Sequence, residues 1–124
     1  MKLSRLGIVM LTVDDLSRST TFYRDALGLP FQFGSTEFAF FDGGGVTLCL
    51  RQGPAGAAPV QEGRTELVFT VDDIDAAYAA LGARGIKFRV EPRIVTGDQL
   101  AADFRDPDGH LLSIFGPRPS APPK

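Results

Sequence analysis

The chain has 124 residues, of which 44% are hydrophobic, and this composition predicts one folded domain. A net charge of −2 with scattered Lys and Arg provides no basic surface for nucleic acid. One cysteine excludes an internal disulfide, and without a long apolar run we expect a cytoplasmic protein with no membrane partner.

The first half of the chain has the pattern of a strand, a helix and three strands. An apolar run at residues 6–13 predicts a strand covered on both faces. Asp15 stands at a helix N-cap position, and Gly28 at the helix end. The predicted buried face of this helix consists of Leu16, Thr20, Tyr23 and Leu27. Further strands are predicted at 31–33, 37–41 and 46–51.

The second half repeats that order after a stretch of linker composition at residues 52–64. A strand is predicted at 65–71, followed by an N-cap at Asp73 and a helix at 74–84 with Ile74, Ala77, Tyr78 and Leu81 on one face. Gly85 ends this helix, and strands follow near 87–90, 99–104 and 110–115. The Pro-rich tail at 117–124 is predicted to be flexible.

The two halves also share a short sequence. Residues 11–16 (Leu-Thr-Val-Asp-Asp-Leu) return 58 positions later as residues 69–74 (Phe-Thr-Val-Asp-Asp-Ile). Self-similarity at a fixed offset usually marks one supersecondary unit used twice. We therefore predict a single α+β domain at 1–116 in which two tandem βαβββ modules, 5–51 and 65–116, form a curved mixed sheet with a cup-shaped cavity.

Four segments of the chain resemble the vicinal oxygen chelate superfamily, the glyoxalase, bleomycin-resistance and extradiol dioxygenase group. They are Thr12-Val13-Asp14-Asp15-Leu16, Phe22-Tyr23-Arg24-Asp25-Ala26-Leu27-Gly28-Leu29, Thr70-Val71-Asp72-Asp73-Ile74 and Phe104-Arg105-Asp106-Pro107-Asp108-Gly109-His110. The resemblance implies that paired modules curl their sheets into a cup, often completed across two chains. We accordingly expect a homodimer.

Enzymes of that superfamily hold a divalent metal with His, Gln or Glu side chains, commonly from the first and fourth strands of each module. The matching positions in this chain are Ile8, Cys49, Glu66 and Ser113. Ile cannot coordinate a metal, Ser binds divalent ions weakly, and one thiolate with one carboxylate makes a mismatched pair. We therefore expect a cup with no metal and no cofactor.

By alternation along the strands, ten residues are predicted to line the cup. They are Ile8, Met10, Thr47, Cys49, Arg51, Glu66, Val68, Leu111, Ser113 and Phe115. Glu66 has two interpretations. An inward carboxylate, with Arg51 as its partner, would be a candidate base or a cation anchor. At the strand edge it would be solvated.

For two other residues with reactive side chains, the sequence favours a structural role. His110, the single histidine, follows the turn at 106–109 and alternates away from Ser113, which favours a local hydrogen bond over catalysis. Cys49 is interpreted as a small buried hydrophobe, because no His or Lys is placed by the sequence to activate it.

Three functions fit these observations. The favoured one is a metal-free protein that binds a small molecule, for example by sequestering an aromatic or cationic compound such as an antibiotic. The alternative is a lyase, isomerase or dioxygenase-like enzyme that uses Glu66 as base or an unusual metal site. A third is a regulatory or interaction domain with a vestigial cup.

Overall fold

The computed structural model describes residues 1–54 and 65–119, which fall into two compact units. The first unit contains β1 (Ile8–Val13), α1 (Leu16–Thr21), β2 (Phe31–Gly34), β3 (Phe38–Asp42) and β4 (Thr47–Gln52). The second contains β5 (Glu66–Thr70), α2 (Ile74–Ala83), β6 (Phe88–Thr96), β7 (Gln99–Arg105) and β8 (Leu111–Pro117). The predicted α+β class and the two βαβββ modules are confirmed.

The two modules have the same strand topology. Each has its own four-stranded mixed sheet, in the order β1-β4-β3-β2 in the first and β5-β8-β7-β6 in the second. The first strand of each module runs parallel to the fourth, and the remaining neighbours are antiparallel. The repeated sequence therefore corresponds to a repeated supersecondary unit.

In each module one face of the sheet forms a hydrophobic core with the helix. The first core is formed by side chains that include Leu11, Val13, Leu16, Tyr23, Phe41, Leu48 and Leu50. The second includes Ile74, Leu81, Leu100, Phe104, Leu112 and Ile114. All of these are buried, and removing such apolar area from water stabilises each module by about 25 cal/mol per Å².

The predicted helix starts and ends are confirmed. The Oδ1 atoms of Asp15 and Asp73 accept hydrogen bonds from the backbone N–H groups of Arg18 and Ala76, each at 3.1 Å. Such caps satisfy amides that have no partner inside the helix. Gly28 and Gly85 have φ angles of 75° and 94°, in the left-handed region that glycine tolerates best.

Two elements differ from the sequence predictions. After α1 the helix widens into a π-helical turn at Phe22–Ala26, in which the Leu27 N–H donates to the carbonyl of Phe22, five residues earlier, at 3.0 Å. Strand β6 continues to Thr96, beyond the predicted 87–90, because Pro92 is tolerated in an outer strand. Among the described residues, no helix is long and apolar enough to cross a bilayer.

The edges of the predicted linker and tail belong to strands. Gln52 is the last residue of β4, and its side chain accepts from the Leu16 N–H at 2.8 Å and donates to the Asp14 carbonyl at 2.6 Å. Pro117 closes β8, and the neighbouring Arg118 pairs with Asp75 at 2.6 Å. The rest of the predicted linker, residues 55–64, and the end of the tail, residues 120–124, lie outside the described residues.

Candidate functional site

Each sheet has a face opposite its helix, here called the open face. Side chains alternate along a strand, and paired residues on neighbouring strands share a face. The register therefore shows which residues lie on the open face of each sheet. The open face of the first sheet contains Ile8, Met10, Thr12, Phe33, Phe38, Phe40, Asp42, Thr47, Cys49 and Arg51. The open face of the second contains Glu66, Val68, Thr70, Val90, Arg93, Gln99, Ala101, Asp103, Arg105, Leu111, Ser113 and Phe115.

The ten residues predicted to line a cup divide equally between these faces. Ile8, Met10, Thr47, Cys49 and Arg51 lie on the open face of the first sheet. Glu66, Val68, Leu111, Ser113 and Phe115 lie on that of the second. The alternation inferred from the sequence therefore groups them as expected within each module, and their role in ligand binding stays a prediction.

The middle of the first open face is apolar. Met10, Cys49, Phe40 and Phe33 follow one another across the four strands. The rings of Phe33 and Phe40 are stacked, with centroids 4.5 Å apart and planes 20° from parallel. Phe33 and Ile8 are 60% and 55% exposed, so this face presents an aromatic and aliphatic surface to solvent.

The equivalent line across the second sheet has two polar residues in its middle. Val68, Ser113, Asp103 and Val90 occupy it, so that Asp103 stands where the first sheet has Phe40. The Asp103 carboxylate is buried and accepts two hydrogen bonds from Arg89, at 2.7 and 3.1 Å. This pair was not predicted from the sequence. The signal for it was an acidic residue inside an otherwise apolar strand.

The donors at the family's metal positions do not fit a divalent metal. Ile8 has no donor atom, and Ser113 is a buried neutral hydroxyl. Cys49 is fully buried, and this burial raises the pKa of its thiol, against a smaller lowering by the charge of Arg51. Its Sγ donates to the Leu50 carbonyl at 3.7 Å. Within 1–54 and 65–119, no three His, Cys, Asp or Glu side chains form a metal-binding group.

Glu66 begins β5 and is exposed, which favours the solvated interpretation of this carboxylate. Arg51, its expected partner, donates from Nη2 to the Thr12 Oγ1 at 3.0 Å within the first sheet. His110 directly follows the turn at 106–109, and its N–H donates to the Asp106 carboxylate at 2.8 Å. This bond is made by the backbone of His110, and the structural role of its imidazole stays a prediction.

A cleft of about 670 Å³ lies in the first module, beside α1 and the start of β3. None of the ten predicted residues lines it. Two of its polar side chains already have partners: Ser35 Oγ accepts from the amides of Glu37 and Phe38 at 3.2 Å, and Arg24 forms an ion pair with the Asp25 side chain at 2.9 Å. The open faces therefore remain the stronger candidates for ligand binding.

Comparison with known proteins identifies the family. The model of the Glyoxalase/Bleomycin resistance protein/Dioxygenase superfamily matches residues 5–114. The chain belongs to this superfamily. The match spans both modules, and it confirms the resemblance drawn from the repeated Asp-Asp turns and from residues 104–110.

Relatives within the superfamily carry different names. The uncharacterized protein YraH of Bacillus subtilis is 32% identical over 120 residues, covering 86% of this chain and 94% of YraH. Glutathione transferase FosA of Serratia marcescens is 28% identical over 116 residues, covering 90% and 80%. A crystal structure of a superfamily protein from Nocardioides aligns with a TM-score of 0.78 at 27% identity, covering 100% and 90%. These likenesses establish the superfamily and leave the activity to be argued from the site.

Proposed function

We propose that this superfamily member binds a small aromatic molecule on the open face of the first sheet, without a metal ion. The observation that carries the proposal is the stacked pair Phe33 and Phe40, which lies on the same face as Ile8, a family metal position with no donor atom. An aromatic antibiotic is one such ligand, as the superfamily's name suggests. The predicted homodimer is part of the same proposal.

The first open face suits a flat apolar ligand for two reasons. A ring that continues the stack on Phe33 would gain about 0.5–1.5 kcal/mol beyond the area it buries. The same ligand would remove part of the exposed Phe33 ring from water, which contributes roughly 25 cal/mol per Å². Hydrophobic burial, rather than coordination to an ion, would supply the affinity.

The alternative is an enzyme of the same superfamily. Similarity to Glutathione transferase FosA favours this alternative, and the exposed carboxylate of Glu66 on the open face of the second sheet would be its base. The donor set offers no metal electrophile for such a reaction. Metal bound by the pure protein would therefore favour an enzyme with an unusual metal site over metal-free binding.

We expect the purified protein to retain less than about one divalent ion per ten chains after incubation with Zn²⁺ or Mn²⁺ and dialysis, because its donor set does not suit these ions. Inductively coupled plasma mass spectrometry measures this directly. Near-stoichiometric metal in the dialysed protein would contradict metal-free binding. A chelator-treated sample provides the baseline.

We expect Phe33→Ala to weaken the binding of 2-naphthalenemethanol, a neutral aromatic probe, by roughly 3- to 10-fold, because the variant lacks the exposed ring of the stack. Isothermal titration calorimetry gives the Kd. The matched control is Phe31→Ala, since Phe31 lies on the same strand but packs edge-on against Phe41 on the helix side. Equal affinity of the wild type and both variants, or no binding of the probe by the wild type, would refute the proposal.

A further inference from the structure

We infer that the open face of the second sheet contains a carboxylate-binding site, in which Arg89, positioned by Asp103, binds a small acid with an apolar body. All residues of this site belong to the second module. The site goes beyond the proposed function and does not depend on it. Its elements are a bulge that directs Arg89, a fixed guanidinium with free donors, and apolar side chains beside it.

The direction of Arg89 follows from a β-bulge. Phe88 is paired with Phe104 on the helix side, whereas Val90 is paired with Asp103, so Arg89 is an extra residue on β6. Bulges change the direction of a side chain, and they are common beside functional sites. The result is that the Arg89 guanidinium reaches the Asp103 carboxylate on the open face.

The pair holds Arg89 in one orientation. Nε and Nη2 of Arg89 bind the two carboxylate oxygens of Asp103 side-on, at 2.7 and 3.1 Å. The Asp103 side chain is 9% exposed and that of Arg89 is 48% exposed. The Asp103 carboxylate is thus buried at one edge of the guanidinium, and the half-exposed Arg89 side chain leaves its other edge for a ligand in the proposed site.

A second fork of donors remains on Arg89. A guanidinium has five N–H groups and Asp103 uses two, so three remain, two on Nη1 and one on Nη2. No further hydrogen bond of Arg89 occurs among the residues that the structure describes. Parallel N–H groups on Nη1 and Nη2 match the two oxygens of a carboxylate.

The neighbours of this fork define the rest of the ligand. Val90 and Val68 lie in the same line across the sheet as Asp103, and Val68 is 53% exposed. Arg93, on the open face of the same strand, is exposed and adds a positive charge. The carboxylate of an acid would accept hydrogen bonds from Arg89 and be attracted by the charge of Arg93, and an apolar body would pack on the two valines. A cation would be repelled.

The test compares 2-naphthoate with 2-naphthalenemethanol, its neutral analogue, by calorimetry on the intact chain. We expect the wild type to bind 2-naphthoate roughly 10-fold more tightly, the effect of a charge-assisted hydrogen bond. Arg89→Lys, which keeps the charge and lacks the fork, should abolish most of this preference. The matched control is Arg24→Lys, because Arg24 also pairs with an adjacent Asp but lies on the first module's helix surface.

Several results would show that Arg89 does not form a carboxylate-binding site. Equal binding of the two probes by the wild type, or a preference unchanged in Arg89→Lys, would overturn it, and so would no binding of 2-naphthoate. Tighter binding of 2-naphthyl phosphate would overturn the carboxylate assignment. If Arg89→Lys does not fold, the double variant Arg89→Met/Asp103→Leu replaces the whole pair by apolar side chains, and it should lose the preference while remaining folded. The Phe33→Ala result bears on the proposed function alone.

Discussion

Gly116→Ala is expected to lose about 3 kcal/mol or more of the free energy of unfolding, as overpacking against backbone does. Gly116 lies in β8, where a Cβ atom would overlap the carbonyl oxygen of Val71. Val71 directly follows β5, and its backbone N–H donates to the Phe115 carbonyl at 2.9 Å. The end of β5 and β8 therefore cannot move apart without breaking that hydrogen bond. Urea denaturation followed by circular dichroism measures the change.

The control for this variant is another glycine in the same module. Gly82 lies in α2, and no atom lies within 4 Å of the position of its added Cβ. Gly82→Ala should raise the free energy of unfolding by up to about 1 kcal/mol, because alanine has the higher helix propensity. A loss below 1 kcal/mol in Gly116→Ala would show that β8 moves away from Val71 at little cost.

Asp106→Ala is expected to lose about 2–3 kcal/mol of the free energy of unfolding, because charge-assisted hydrogen bonds would be left without their acceptor. The Asp106 side chain is buried, and its Oδ1 accepts from the N–H groups of Asp108 and His110 at 2.9 and 2.8 Å. These bonds form the turn that joins β7 to β8, which carries Ser113. Thermal unfolding followed by circular dichroism measures the loss.

Asp106→Asn separates the acceptor from the charge. Its amide oxygen can still accept from both N–H groups, so the variant should lose about half as much as Asp106→Ala or less. An Asn variant as unstable as the Ala variant would mean that the negative charge itself holds the turn. Equal stability of all three proteins would show that the turn forms without this side chain.

Much of the fold is readable from local sequence signals. The apolar strand before Asp15, the cap itself and the glycine at position 28 lie close together in the chain, and each acts through neighbouring backbone. The same signals recur before Asp73 and Gly85. The order of strands and helices and most of their positions therefore followed from the sequence, and the equal topology of the two modules followed from the repeat.

The ion pair of Arg89 and Asp103 on the second sheet could not be predicted from the sequence, because it depends on the pairing register of β6 and β7. Strict alternation places a side chain on a face but cannot show the extra residue that brings Arg89 to Asp103. The extension of β6 was hidden for a related reason, since Pro92 ordinarily argues against a strand interior. Contacts made across the sheet, rather than along the chain, decide both features.

The contacts of Gln52 are a third feature that could not be predicted from the sequence. By composition this residue belongs to a stretch of linker, yet its side-chain amide connects the end of β4 to the start of α1 through Leu16 and Asp14. Such a contact joins residues 36 and 38 positions apart. No local pattern encodes it, so boundaries set by composition are less certain than those set by caps and glycines.

The irregular outer strand β6 also has a consequence for self-association. An exposed strand edge is a template for another chain, which leads to fibrils when the edge is long and flat. Pro92 has no N–H group to offer such a partner, and the register of β6 shifts at three places along its length. The bulge that directs Arg89 therefore also protects this margin of the second sheet against amyloid-like growth.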